Sequence, residues 1–316
     1  MNNTDLSIII VNWNTKDFLI NCLKSIQRDN SCNLEIIIVD NNSSDGSVEI
    51  LEKQYGHIKL IRNSSNLGFA KANNIGINAS MGRFIALINS DIIVHKNCLN
   101  TLIRFMDNNP EIGAAGPRIL NPDRTVQISA RKSPGIWNNL CQVLGLNKLF
   151  PKSSFFSDWF MTYWQHDSVR KVDALSGCFI IVRKEAVRET GVLDEKFFFY
   201  GEDLDWCKRF RDKGWDIALC PDAQATHFGA ASSSKTPISC YLQLQKADLY
   251  YWEKHHGRVG GLIYRLTAIL RQVTRIIFNL IRLGCPPEQR ADIIFRLKRH
   301  WSSLKWLIIP RKYQIK

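Results

Sequence analysis

The residues best suited to chemistry sit in five short segments. The run Phe197-Phe198-Phe199-Tyr200-Gly201-Glu202-Asp203-Leu204-Asp205-Trp206 leads four aromatics into three acids. Apolar walls raise a carboxyl pKa, as a general base working near neutral pH requires. Acids at a helix start also complement its dipole, and the two roles are compatible. Leu87-Ile88-Asn89-Ser90-Asp91 ends an apolar run in a carboxylate. There Asp91 either caps a turn or gives a hard oxygen to a divalent ion that keeps positions open for substrate. Ala225-Thr226-His227-Phe228-Gly229-Ala230-Ala231-Ser232 follows shortly after the acids. A lone histidine is usually structural or solvated, but this position makes His227 a candidate ligand of a metal or a diphosphate.

Two further segments are rich in amides and glycine. Val39-Asp40-Asn41-Asn42-Ser43-Ser44-Asp45-Gly46-Ser47 follows an apolar run. A carboxylate at such a strand end can accept from a pyrimidine N3–H or a ribose hydroxyl, and Asp45 or Ser47 can cap the next helix. In Asn66-Leu67-Gly68-Phe69-Ala70-Lys71, a glycine beside an aromatic lets backbone approach a flat base or ribose. Lys71 is either a phosphate contact or a solvated charge at a helix start.

These segments need elements to hold them. Residues 6–11, 34–40, 58–62 and 83–88 read as strands, and residues 17–28, 47–55 and 69–79 as helices. Their alternation implies βαβ units and a parallel sheet, covered on both faces because the strands are apolar throughout. Residues 117–172 read as an irregular excursion over one rim of the sheet. Regular structure resumes with a strand at 174–183 and a helix at 204–213.

In this order and spacing, the five segments resemble an inverting family-2 glycosyltransferase, closest to the bacterial rhamnosyltransferase-like branch. The resemblance runs from residue 6 to about residue 234. It implies an α/β, Rossmann-like GT-A fold: a mixed sheet flanked by helices, with C-terminal amphipathic helices appended. The implied catalytic domain is 1–240, with a nucleotide-sugar half over 1–116 and an acceptor half over 117–240. It places Asn12, Asn14 and Asp40 on the nucleoside, with Asn66, Gly68 and Lys71 in the glycine-bearing segment that follows. Asn89-Ser90-Asp91 matches the aspartate motif for Mg²⁺ or Mn²⁺, with His227 as a later ligand. Gly177, in Ser176-Gly177-Cys178-Phe179, would let backbone pass close to the donor sugar. Asp203 would be the catalytic base, with Glu202 and Asp205 supporting it or facing the acceptor. Many GT-A enzymes carry Asp-x-Asp at the metal site, whereas the first position here is Asn89, a neutral and weaker ligand.

The 316 residues carry a net charge of +13, and residues 251–316 hold 14 Lys/Arg against three acids. Residues 1–250 therefore carry 28 basic and 26 acidic residues, so the basicity is confined to the tail. In the tail Arg258, Arg265, Gln272, Arg275, Asn279 and Arg282 share one helical face. Leu262, Leu266, Ile269, Val273, Ile276 and Leu280 share the other. A second amphipathic helix follows Pro286-Pro287, with Ile294, Leu297, Trp301, Leu304 and Ile308 in register. Basic and apolar residues so arranged suit a helix lying in a membrane interface or an ordinary packed helix. A nucleic-acid partner is not indicated, because the charge is not spread over a binding face. Nine scattered cysteines without C-x-x-C spacing read as reduced cytosolic thiols, and no run reaches the length of a spanning helix. The expected location is cytoplasmic, peripheral on the inner membrane face.

By resemblance the donor is dTDP-L-rhamnose, with UDP-hexose and UDP-N-acetylhexosamine as alternatives. The acceptor is lipid-linked or polysaccharide, in cell-surface glycan synthesis such as O-antigen. A nucleotide-sugar-binding protein without catalysis is the remaining alternative.

Overall fold

The computed structural model describes residues 4–29, 33–229, 237–284 and 287–309. Residues 230–236, which end the histidine segment, Pro286 before the second tail helix and residues 310–316 of the basic region lie outside them. The chain divides into two compact units.

The first unit comprises described residues of Met1–Ser133, Trp164–Phe198 and Glu202–Ser234. Elements are numbered in chain order. The apolar runs become β1 (Leu6–Asn12), β2 (Leu34–Asp40), β3 (Lys59–Arg62) and β4 (Phe84–Ile88). They pair in parallel in the order β3-β2-β1-β4. Helices α1 (Lys16–Arg28), α2 (Ser47–Gln54) and α3 (Phe69–Asn78) connect them. Ile8, Ile10, Ile36, Ile38, Phe84 and Ala86 form one core with Leu19, Leu23 and Ile26 of α1. Strands apolar on both faces are buried on both faces, as their composition requires.

Beyond β4 the sheet becomes mixed. β5 (Ile92–Val94) and α4 (Cys98–Asn108) lead into β6 (Ile112–Leu120). The short β7 (Ala130–Arg131), β8 (Arg170–Lys171) and β9 (Ala174–Leu175) precede β10 (Phe179–Arg183). β10 runs antiparallel between β4 and β6, and β6 pairs in parallel with β11 (Asp216–His227). The sheet is therefore not parallel throughout. The strand expected over 174–183 is two strands, because residues 176–178 leave the ladder and Gly177 N–H turns to Asp203. α7 (Lys184–Thr190) and α8 (Glu202–Asp212) complete the unit. β6, β11 and α4 were not read from the sequence.

The second unit comprises described residues of Pro134–Tyr163, Phe199–Gly201 and Lys235–Lys316. It contains α5 (Ile136–Leu144), α6 (Leu146–Leu149), α9 (Pro237–Ile281) and α10 (Pro287–Ile308). α9 breaks at Gly257, whose φ is 67°. Both expected tail helices are present, and the first buries part of its polar row while much of its apolar row is exposed. Gln272 and Asn279 of its polar row are buried, at 0% and 4% exposure, while Leu262, Leu266 and Leu280 are more than half exposed. Buried polar groups need partners. Gln272 Oε1 lies 2.8 Å from His300 Nδ1 of α10, and Gln272 Nε2 donates to Tyr241 Oη at 3.1 Å. Asn279 Nδ2 donates to Arg275 O at 2.7 Å. No described helix is long and apolar enough to cross a membrane. Seven described cysteines are free thiols.

Candidate functional site

The carboxyl ends of β1, β2 and β4 share one edge with the start of β10 and the end of β11. Ligands of open α/β sheets sit at such an edge. Register places Asn12 beside Asp40 and His227 beside Ile92, directly after Asp91.

Asn12 and Asp40 hold each other. Asn12 Nδ2 donates to Asp40 Oδ1 at 2.8 Å and to Ser43 Oγ at 3.0 Å. Asp40 Oδ2 accepts from Ser43 N–H at 2.8 Å. Thr15 Oγ1 donates to Asn12 Oδ1 at 2.7 Å and lies 2.8 Å from Ser90 Oγ, tying β1 to the aspartate motif. Asn12 and Asp40 are buried, so they stiffen the loops around a ligand more than they offer surface to one. Asn14 has a φ of 54°, a left-handed conformation that asparagine tolerates. Its Oδ1 accepts from Ser44 N–H at 2.7 Å. Asp45 accepts from Lys16 N–H at 2.7 Å and Ser47 N–H at 3.1 Å, so it joins the starts of α1 and α2.

Asn66 Oδ1 accepts from Gly68 N–H at 2.9 Å and from Asn41 Nδ2 at 3.2 Å. Gly68 has φ 83° and ψ 178°. A Cβ there would stand 2.5 Å from Phe198 O, which accepts Phe69 N–H at 2.7 Å. This glycine therefore brings the start of α3 against the segment before the acids, and Lys71 is exposed on the same helix.

The acids separate into distinct environments. Glu202 is 5% exposed and its Oε2 has no hydrogen-bond partner. Burial first, and the neighbouring Asp203 charge second, push its pKa well above the usual carboxyl range. Asp205 is fully buried and paired with Arg209 Nε at 2.8 Å. Arg209 also donates to Thr190 O and Val192 O, so the pair ties α8 to the chain that follows α7. Asp203 is only partly buried. Its Oδ2 accepts from Gly177 N–H at 2.9 Å and its Oδ1 from Leu204 N–H at 2.8 Å. A Cβ on Gly177 would lie 3.4 Å from Asp203 Cβ and 3.6 Å from the Phe69 ring, so Gly177 is first a holder of Asp203.

Asp91 Oδ1 stands 3.2 Å from His227 Nε2, and Asn89 Nδ2 stands 3.5 Å from the same nitrogen. His227 Nδ1 lies 2.6 Å from Gln127 Oε1. Gln127 was missed because it falls in the stretch read as irregular, where only the Leu120–Val126 bridge and the 121–125 turn give it a fixed place. No cluster of three or more His, Cys, Asp or Glu able to hold a metal occurs among the described residues. Asp91 and His227 would nonetheless suit a divalent ion whose remaining positions would be left to diphosphate oxygens and water.

A model of glycosyl transferase family 2 matches residues 7–168, more than half of the chain. An N-acetylglucosaminyl-diphospho-decaprenol L-rhamnosyltransferase of Mycobacterium tuberculosis is 28% identical over 269 residues, 80% of this chain and 85% of that protein. A dTDP-rhamnosyl transferase, RfbF, of Shigella flexneri is 23% identical over 314 residues, 94% of this chain and 93% of its own. The fold is similar to that of the mannosyltransferase PcManGT from Pyrobaculum calidifontis, solved with GDP-Man and Mn²⁺. That match has a TM-score of 0.56 at 11% identity, over 96% of this chain and 88% of the other. The edge that gathers Asn12, Asp40, Asp91, Asp203 and His227 thus lies in a GT-A fold, and the chain belongs to glycosyl transferase family 2 and is a glycosyltransferase related to the rhamnosyltransferases.

Proposed function

We propose that the protein moves L-rhamnose from dTDP-L-rhamnose onto a lipid-linked or polysaccharide acceptor by a single inverting displacement. The observation that carries this reading is the contrast within the Glu202–Asp203 pair. Two neighbouring carboxyls in different surroundings take different roles. Glu202 is buried and holds its proton, so it cannot take another. Asp203 is reachable and held by two backbone N–H groups, and it deprotonates the acceptor hydroxyl. Residues 1–116 of the 1–240 catalytic domain hold the donor, through Asn14, the 41–46 loop and the start of α3, and 117–240 face the acceptor. Asp91 and His227 hold Mg²⁺ or Mn²⁺, with Asn89 beside them. A bound divalent ion neutralises the diphosphate as it leaves.

The donor choice is supported by the rhamnosyl relatives, and the lipid-linked acceptor by the polyprenyl-diphosphate substrate in the name of one of them. In residues 241–316, the exposed Leu262, Leu266, Leu270, Val273, Ile277 and Ile281 recur at three- and four-residue steps along α9, with Arg258 exposed and Arg265 and Arg282 partly exposed along the same stretch of chain. We assign this stripe to the surface of the cytoplasmic membrane leaflet, where each basic residue adds ~1 kcal/mol of attraction to anionic lipid.

The test is a transfer assay with dTDP-L-rhamnose, UDP-hexoses and UDP-N-acetylhexosamines, with and without Mn²⁺, reading the product's anomeric configuration. Asp203→Asn should lower kcat by about 10²–10⁴-fold and leave nucleotide binding nearly intact. Wild-type turnover in that variant removes Asp203 as the base. UDP selectivity changes the sugar but not the chemistry. Nucleotide binding without transfer to any acceptor leaves a binding protein.

A further inference from the structure

A turn outside the acid cluster carries a chain of hydrogen bonds whose direction is set at one end. The Asp123 carboxylate can only accept. Thr125 donates to its Oδ1 twice, from the hydroxyl at 2.6 Å and from the backbone at 3.0 Å. The hydroxyl proton is thereby used, so Thr125 Oγ1 accepts from Asn121 Nδ2 at 2.9 Å. This turns Asn121 Oδ1 toward Gln127, whose Nε2 donates to it at 2.8 Å and to His227 O at 3.4 Å. Gln127 Oε1 is then the atom 2.6 Å from His227 Nδ1, and a carbonyl oxygen can only accept there. A proton therefore sits on Nδ1, and in the singly protonated ring Nε2 turns its lone pair toward Asp91 Oδ1 at 3.2 Å, with Asn89 Nδ2 at 3.5 Å.

We propose that Gln127 is a positioning residue that fixes His227 as its Nδ1–H tautomer, so that Nε2 and Asp91 Oδ1 form an open seat for a divalent cation. In the other tautomer Nε2–H would donate to Asp91 and close that seat with an internal hydrogen bond. Ligating histidines commonly give their second N–H to such a partner, which sets tautomer and ring orientation. The proposal rests on reading Asp91 and His227 as the cation-holding pair, and its test separates the two ideas.

The full chain is labelled with ¹⁵N-histidine, and the tautomer of each ring is read by long-range ¹H–¹⁵N correlation well above the imidazole pKa of about 6.5. His227→Asn assigns the His227 signals. The wild type should show a protonated Nδ1 and a bare Nε2. Gln127→Leu should abolish that preference without moving the other histidines, and Gln127→Glu, which keeps an acceptor, should retain it. With dTDP present, Mn²⁺ should broaden the His227 signals selectively, and Gln127→Leu should weaken Mn²⁺ binding about 10–100-fold. A wild-type ring protonated at Nε2 or at both nitrogens overturns the proposal, as does an unchanged tautomer in Gln127→Leu. A locked tautomer with no response to Mn²⁺ and dTDP overturns the cation seat, and the reading of Asp91 and His227 with it, while the Gln127 lock stands.

Discussion

Glu202→Gln gives a sharp test of how the acid pair is divided. The native carboxyl keeps its proton to well above the usual range because burial disfavours its charge and Asp203 stands next to it. Unfolding exposes it to water, where its pKa returns to about 4.3. Above that value the unfolded chain releases a proton that the native chain retains, so the unfolded state binds fewer protons and stability falls as pH rises. The contribution is complete below the unfolded pKa and disappears as pH climbs through the native one. One proton corresponds to about 1.36 kcal/mol per pH unit, so the wild type should lose stability at up to that slope through this group as pH rises from the unfolded pKa toward the raised native one. Glutamine has nearly the same shape and no proton to exchange. The variant's packing offset is constant with pH, so the wild-type-minus-variant difference isolates the carboxyl. Urea unfolding of both proteins at several pH values supplies that difference. Parallel stability curves would mean that Glu202 is charged in the native state, and the assignment of the base to Asp203 would lose its foundation.

Two further outcomes follow from particular contacts. Gly68→Ala should destabilise the chain by about 1–3 kcal/mol from backbone conformation alone, since φ 83° with ψ 178° is a region for glycine only. The 2.5 Å approach to Phe198 O adds to this, and an unchanged urea midpoint would show that the start of α3 is free to move. Replacing Leu262, Leu266 and Leu270 by serine should lower binding to anionic vesicles at least about tenfold, since burying one leucine contributes ~1.5–3 kcal/mol. Equal co-sedimentation with vesicles, or a change in oligomeric state instead, would assign the stripe to a different partner.

What the sequence made legible, and what it hid, follows from how far each signal reaches along the chain. Continuous apolar runs place β1, β2 and β4, because a strand buried on both faces has no other composition. The turn residues after them follow from the same logic, since Asn66 and Gly68 form a local device within three positions. β6 and β11 escaped because Pro117 interrupts one, at a register shift in the pairing, and Asp222 lies within the other. Which face of the first tail helix is buried was hidden for another reason. Its amphipathic pattern was legible, but a pattern does not say which face meets protein. Tyr241 and His300, each about 30 positions away, satisfy Gln272 and so offset the cost of burying it. The same distance problem hid Gln127, which is 100 residues from His227. Residue types identify which groups can react, whereas the state in which they react, such as a proton on Glu202 or on one nitrogen of His227, depends on neighbours that only the fold supplies.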